Sequence, residues 1–110
     1  MSKRDASLLL QDMREAMQRI ARYTAGMDVT AFLADEKTTD AVVRNIEIIG
    51  EAAKQLPGEF KAAQPQVPWA LMAGMRNRIV HDYAGVDMEL VWNVVQTALP
   101  ELEQAITGLP

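Results

Sequence analysis

The sequence predicts an all-α protein, an antiparallel bundle of four main helices plus short helical turns. Three observations lead there. Four stretches repeat apolar residues with helical rather than alternating period. About half of the 110 residues are apolar, and the runs are rich in the helix formers Ala, Leu, Met, Glu, Gln and Arg. The breaks between stretches fall on Gly26, Pro57-Gly58, Pro65 to Pro68 and Gly85. A chain of this length is expected to form a single domain over residues 1–110, with no internal repeat and no low-complexity tract.

Composition excludes several classes. There is no cysteine and only one histidine, so a disulfide framework, a thiolate metal site or a zinc site within one chain is not expected. The apolar runs are far too short to span a membrane. Met1-Ser2-Lys3-Arg4 is followed by Asp5 and an amphipathic pattern, unlike a signal peptide, so a cytoplasmic location is expected. The formal net charge of −4 argues against a broad basic face for nucleic acid and leaves only focused cations for such a role.

Taken in order, Asp5 or Ser7 is expected to cap a first helix reaching Ala25, with Gly26 as its stop. Its apolar face collects Leu9, Leu10, Met13, Ala16, Met17, Ile20, Ala21 and Tyr23, with Asp12, Glu15, Arg19 and Arg22 opposite. Ala31 to Ala34 make one or two turns, closed by Asp35 and Glu36. Thr38, Thr39 or Asp40 then caps a helix ending near Leu56. Its arc is Ala41, Val42, Ile46, Ile48, Ile49, Ala52, Ala53 and Leu56, with the polar Asn45 inside it. A brief turn over Glu59 to Gln64 and an extended segment to Pro68 follow. Pro68 suits the first turn of a helix expected to run to Gly85. Asp87 caps the last helix, whose buried side is Met88, Val91, Trp92, Val95, Ala98, Leu99, Leu102 and Ile106, with Pro100 opposite and bending it. The seven methionines and both tryptophans read as core.

The stretch with chemical content is Arg76-Asn77-Arg78-Ile79-Val80-His81-Asp82-Tyr83, which holds the only histidine and one of two tyrosines. On a continuous helix, Leu71, Met72, Met75, Ile79, Val80, Tyr83, Trp69 and Ala73 form an apolar arc with Arg76 inside it. Asn77 and His81 stack along its edge. A guanidinium in such a stripe needs either a protein partner, with Glu47, Glu51 and Asn45 available, or an anion. Arg78 and Asp82 read as a surface ion pair, and Gly74 either admits a close helix or is merely tolerated. His81 could cap a helix C-terminus, and Tyr83 could be a core-edge residue.

Arg76, four residues, His81, one residue and Tyr83 make an R-x4-H-x-Y pattern that resembles the signature of HEPN-domain proteins, and among them the HepT-like (DUF86) ribonuclease toxins. The segments Phe32 to Thr38, Asn45 to Ala53, Trp69, and Val86 to Trp92 resemble the same group, so the resemblance covers nearly the whole chain. It implies a HEPN-like helical-bundle homodimer, without cofactor or metal, that cleaves RNA. Arg76 would bind the scissile phosphate and His81 transfer protons, with Asn77 as a supporting polar residue. Tyr83 would be the residue that a partner nucleotidyltransferase antitoxin modifies with AMP, and the pair could assemble into a higher hetero-oligomer.

The chemistry suits those residue types. RNA carries its own nucleophile in the 2′-hydroxyl, histidine titrates near neutrality, and arginine matches phosphate oxygens with paired hydrogen bonds. Five residues apart on one helix, however, Arg76 and His81 point about 140° away from each other. A two-fold dimer bringing both chains' residues around one cleft is the favoured resolution, and unwinding of the helix near His81 is the other. The alternative function is a non-catalytic module binding a nucleotidyltransferase partner or a nucleotide.

Overall fold

The computed structural model describes residues 5–81 and 85–109, and the side chains of all of these except Val80 and His81. The all-α class holds. The helices are α1 (Ala6–Thr24), α2 (Val29–Ala34), α3 (Glu36–Gln55), α4 (Gly58–Ala63), α5 (Trp69–Ile79), α6 (Met88–Asn93) and α7 (Leu99–Thr107). A π-helical turn, Val94–Ala98, joins α6 to α7 in one continuous final helix. Among the described residues, no helix is long and apolar enough to cross a membrane.

Each main helix buries the face its sequence period marks. In α1 the buried residues are Leu9, Leu10, Met13, Ala16, Met17, Ile20 and Thr24. Ala21 and Tyr23, expected on that face, are exposed, while Thr24 satisfies its hydroxyl by donating to the Ile20 carbonyl at 2.8 Å. Helix α3 is central, packed by α1 and by α5. Asn45 is buried in its stripe and fully engaged: Arg19 donates to Oδ1 at 2.9 Å, and Nδ2 donates to the Ala41 carbonyl at 2.8 Å. Arg19 was assigned to the solvated face. Its length lets it reach back to Asn45 while remaining partly exposed.

The caps follow local chemistry. Gly26 takes φ +77°, the left-handed conformation that ends α1 cheaply. Asp28 accepts from the Ala31 amide at 2.8 Å and Asp87 from the Leu90 amide at 3.1 Å, each opening a helix. Asp5 is the N-cap of α1 but makes no side-chain cap bond. Helix α3 is capped by Asp35 rather than by Thr38, Thr39 or Asp40, accepting from the Thr38 amide at 3.0 Å. Asp35 is also the C-cap residue of α2, so one extended residue separates two helices.

Two elements differ from the sequence expectation. Helix α5 stops at Ile79 and does not continue to Gly85. Val80–His81 instead pairs antiparallel with Gly85–Val86, and the Asp87 amide donates to the Ile79 carbonyl at 2.8 Å. The β-branched Val80 favours extended backbone, and Gly85 at φ +80° supplies the reversal. The second difference is at Pro100. The helix accommodates it by a π turn, with the Leu99 amide bonding five residues back to the Val94 carbonyl. Proline lacks an N–H and its ring would crowd the carbonyl four residues earlier, so widening the preceding turn relieves both problems. Val94, not among the residues the sequence placed on the buried side, is buried beside Val95.

Long-range polar contacts tie the ends together. Arg14 of α1 donates to the carbonyls of Ile106 (2.8 Å) and Leu109 (3.2 Å), fastening the end of α7 to α1. Phe32 of α2 meets Trp92 of α6 with ring centroids 5.1 Å apart.

The close helix approach is at Gly50, not Gly74. A Cβ on Gly50 would stand 3.4 Å from the backbone oxygens of both Met72 and Ala73, whereas one on Gly74 would meet nothing within 4 Å. Gly50→Val is therefore expected to cost about 1–3 kcal/mol through overpacking. Gly74→Ala is expected to stabilise by up to about 1 kcal/mol through helix propensity. Urea unfolding of both variants checks the pair, and the opposite order would contradict the crossing.

Asp35 gives a pH signature. The backbone amide of Thr38, then its hydroxyl, hold the carboxyl below its ordinary value of 3.8. A carboxylate with a depressed folded pKa contributes stability above its unfolded pKa and loses it as pH falls through the folded one. Asp35→Ala should thus lower Tm at neutral pH, and the gap to wild type should narrow as pH drops below about 3.8. A gap unchanged between neutral pH and strong acid would exclude the ionised cap.

Candidate functional site

The motif lies at the junction where α5 ends and the short ladder begins. Met72, Met75 and Ile79 turn into the core and anchor the last turn of α5. Arg76, Asn77 and Arg78 on the same turn are exposed. Arg76 is therefore not buried in an apolar stripe as the continuous-arc reading expected. Only one side of α5 is packed, and Leu71, assigned to the arc, is itself 40% exposed. Two guanidinium groups in the final turn face the negative end of the helix dipole, a favourable placement.

Of the three partners available to Arg76, the tertiary structure selects Glu47, with Nε 3.6 Å from Oε2. Asn45 is taken by Arg19. The selection follows from the crossing at Gly50. Glu47 lies three residues before Gly50 on α3, and Arg76 lies three after Ala73 on α5, so in an antiparallel pair they face each other one turn along. The two side chains are 53% and 39% exposed, and the separation exceeds hydrogen-bond length. Such a pair contributes about 0–1 kcal/mol, which leaves Arg76 energetically free to engage an anion.

His81 sits two residues beyond the end of α5, its backbone paired with Gly85. The helical stacking of Asn77 on His81 and the 140° divergence of Arg76 from His81 both assumed an unbroken helix, and both lapse with it. The helix does end before His81, as the unwinding resolution requires, while the direction of the imidazole lies outside the described residues. The His81 side chain, Asp82 and Tyr83 lie outside the described residues, and with them the Arg78–Asp82 pair and the Tyr83 modification site.

The surroundings favour one side for an anion. Asp12, Arg44, Glu47 and Glu51 line a small groove of about 180 Å³ along α1 and α3, where three carboxylates outnumber one guanidinium. A larger cavity of about 370 Å³ lies between the end of α1 and the final helix, walled by Met17, Ile20, Val95 and Leu99, and includes none of the motif residues. The cationic surface at the motif is the end of α5. Among the described residues, no three His, Cys, Asp or Glu side chains gather as a metal site would require.

The family described as "Ribonuclease HepT-like" matches residues 13–109. The chain is 42% identical to "Probable ribonuclease HepT" of Thermococcus cleftensis, over 92% of this chain and 92% of that protein. It is 41% identical to "Putative RNase MJ0127" of Methanocaldococcus jannaschii, over 99% of this chain and 93% of that protein. No solved structure matches at a significant level. A helical chain matched over nearly its whole length, and similar to proteins named as ribonucleases, belongs to the HepT-like ribonuclease family.

Proposed function

We propose that this protein is a metal-independent endoribonuclease toxin. The observation that carries the reading is Arg76, exposed on the last turn of a core-anchored helix beside the ladder that bears His81, and tied, among the described residues, only by a surface ion pair. The names of its relatives support RNA as the substrate.

In the proposed reaction the 2′-oxygen attacks the adjacent phosphorus and the bond to the 5′-oxygen breaks. The products are a 2′,3′-cyclic phosphate and a 5′-hydroxyl. Arg76 binds the phosphate oxygens and offsets the charge that builds on them in the transition state. His81 moves the proton, either from the 2′-hydroxyl or to the departing 5′-oxygen. Asn77, exposed beside Arg76, supports the phosphate as a neutral donor. In a two-fold homodimer, two such sites around one cleft supply one histidine as base and one as acid. A partner nucleotidyltransferase antitoxin neutralises the protein, either by forming a complex or by adding AMP to Tyr83. In the second route the phenolic oxygen attacks the α-phosphorus of ATP and pyrophosphate leaves. The added negative charge would repel RNA from Arg76 and His81.

The net charge of −4 favours a second reading, a non-catalytic helical module that binds a nucleotidyltransferase or a nucleotide. One experiment separates the two. In EDTA, wild type should cleave RNA to cyclic-phosphate ends. Arg76→Ala should slow cleavage about 10²–10³-fold, and His81→Ala about 10²–10⁴-fold. Cleavage that is absent, or indifferent to both substitutions, would leave the binding module as the better account, and 3′-hydroxyl products would exclude 2′-hydroxyl attack.

The shared site makes a further prediction. Specific activity should fall on dilution through the range where sedimentation shows the dimer dissociating. A monomer of undiminished specific activity would rule the two-chain site out.

A further inference from the structure

We infer that Glu47 is a positioning residue for Arg76, holding its guanidinium so that the two terminal nitrogens face the substrate phosphate. The inference rests on the ribonuclease reading above for its reaction, and on the structure for its geometry. Glu47 approaches Arg76 at Nε, 3.6 Å from Oε2, and Nε is the inner nitrogen of the group. The fork made by the two outer nitrogens is the edge that binds a phosphate through parallel hydrogen bonds. A carboxylate at Nε can therefore remain in place while a phosphate occupies that fork. It fixes the side chain without competing for the same donors.

The support is itself fixed. Glu47 lies on α3, between the buried Ile46 and the half-buried Ile48, one turn from the Gly50 crossing that sets the spacing of α3 and α5. Arg76 has several rotatable bonds and stands 53% exposed, so without a partner it would sample many orientations. Misplacement of a catalytic group can cost up to about 10²-fold in rate. Orientation matters most when negative charge accumulates on the phosphate oxygens, so the effect should fall on kcat more than on KM.

Two measurements test this. With cleavable RNA, Glu47→Ala should lower kcat about tenfold with KM nearly unchanged, inside the roughly 10²-fold range that misplacement spans. Glu47→Gln should recover part of that loss, because its amide oxygen keeps a partial negative charge beside Nε–H. Melting temperatures should stay close to wild type, as expected for a surface ion pair. In the second measurement, a double-mutant cycle of Glu47→Ala and Arg76→Ala reads the affinity for a nucleoside vanadate, whose five-coordinate oxygens carry the charge pattern of the transition state. The Glu47 effect should vanish once Arg76 is gone. Additive effects in the cycle, or an Arg76→Ala variant that binds as wild type does, would overturn the inference. Faster cleavage by Glu47→Ala would overturn it too, marking Glu47 as a competitor for Arg76. The cycle needs no turnover, so it judges Glu47 even where wild type and His81→Ala prove equally inactive, an outcome that defeats the ribonuclease reading instead.

Discussion

The structure depends on the close crossing of α3 and α5 at Gly50. With hydrogen in place of a side chain there, the carbonyls of Met72 and Ala73 come within contact distance of where a Cβ would sit. Helix spacing is then set by backbone rather than by long side chains, which leaves little freedom to slide. Everything on α5 inherits its position from that contact. Met72, Met75 and Ile79 drop into the core, and Arg76, one turn further along, arrives opposite Glu47. A larger residue at Gly50 would lever the helices apart and move the arginine from its support.

The end of α5 is equally determined. The chain leaves the helix after Ile79, forms two paired residues on each side of a short reversal, and re-enters helix at Met88 under the Asp87 cap. The Ile79 carbonyl, which helix termination leaves open, is taken by the Asp87 amide. The same residue therefore closes the ladder with its backbone and opens the final helix with its side chain. His81 is carried by this connection rather than by the helix, its backbone paired with Gly85.

The final helix holds the motif from the other side. Its π turn absorbs Pro100 while keeping Val91, Val94, Val95, Leu99, Leu102 and Ile106 on the core. Arg14 fastens its last turn to α1. Polar groups buried by these contacts find partners, and among the described residues no buried side-chain nitrogen or oxygen is left without one. The core thus supplies a frame, and Arg76 and Arg78 stand exposed on the turn where α5 ends.

The sequence by itself determined the helices, most of their buried faces, the breaks at Gly26 and Pro57-Gly58, the cap at Asp87 and the family. Each follows from local period, from conformations only glycine or proline favours, or from a motif read in one dimension. Which polar residues meet was decided by tertiary structure alone. Helical period placed Asn45, Glu47 and Glu51 on α3 as equal candidates for Arg76, and only the crossing at Gly50 chose Glu47 while Arg19 claimed Asn45. Unwinding near His81 was one of two options the sequence left open, and the stop of α5 at Ile79 was fixed by hydrogen bonds from Val80 and His81 to Gly85 and Val86. Pairings between segments depend on helix spacing and on partners distant in sequence, and no residue's own propensity records them.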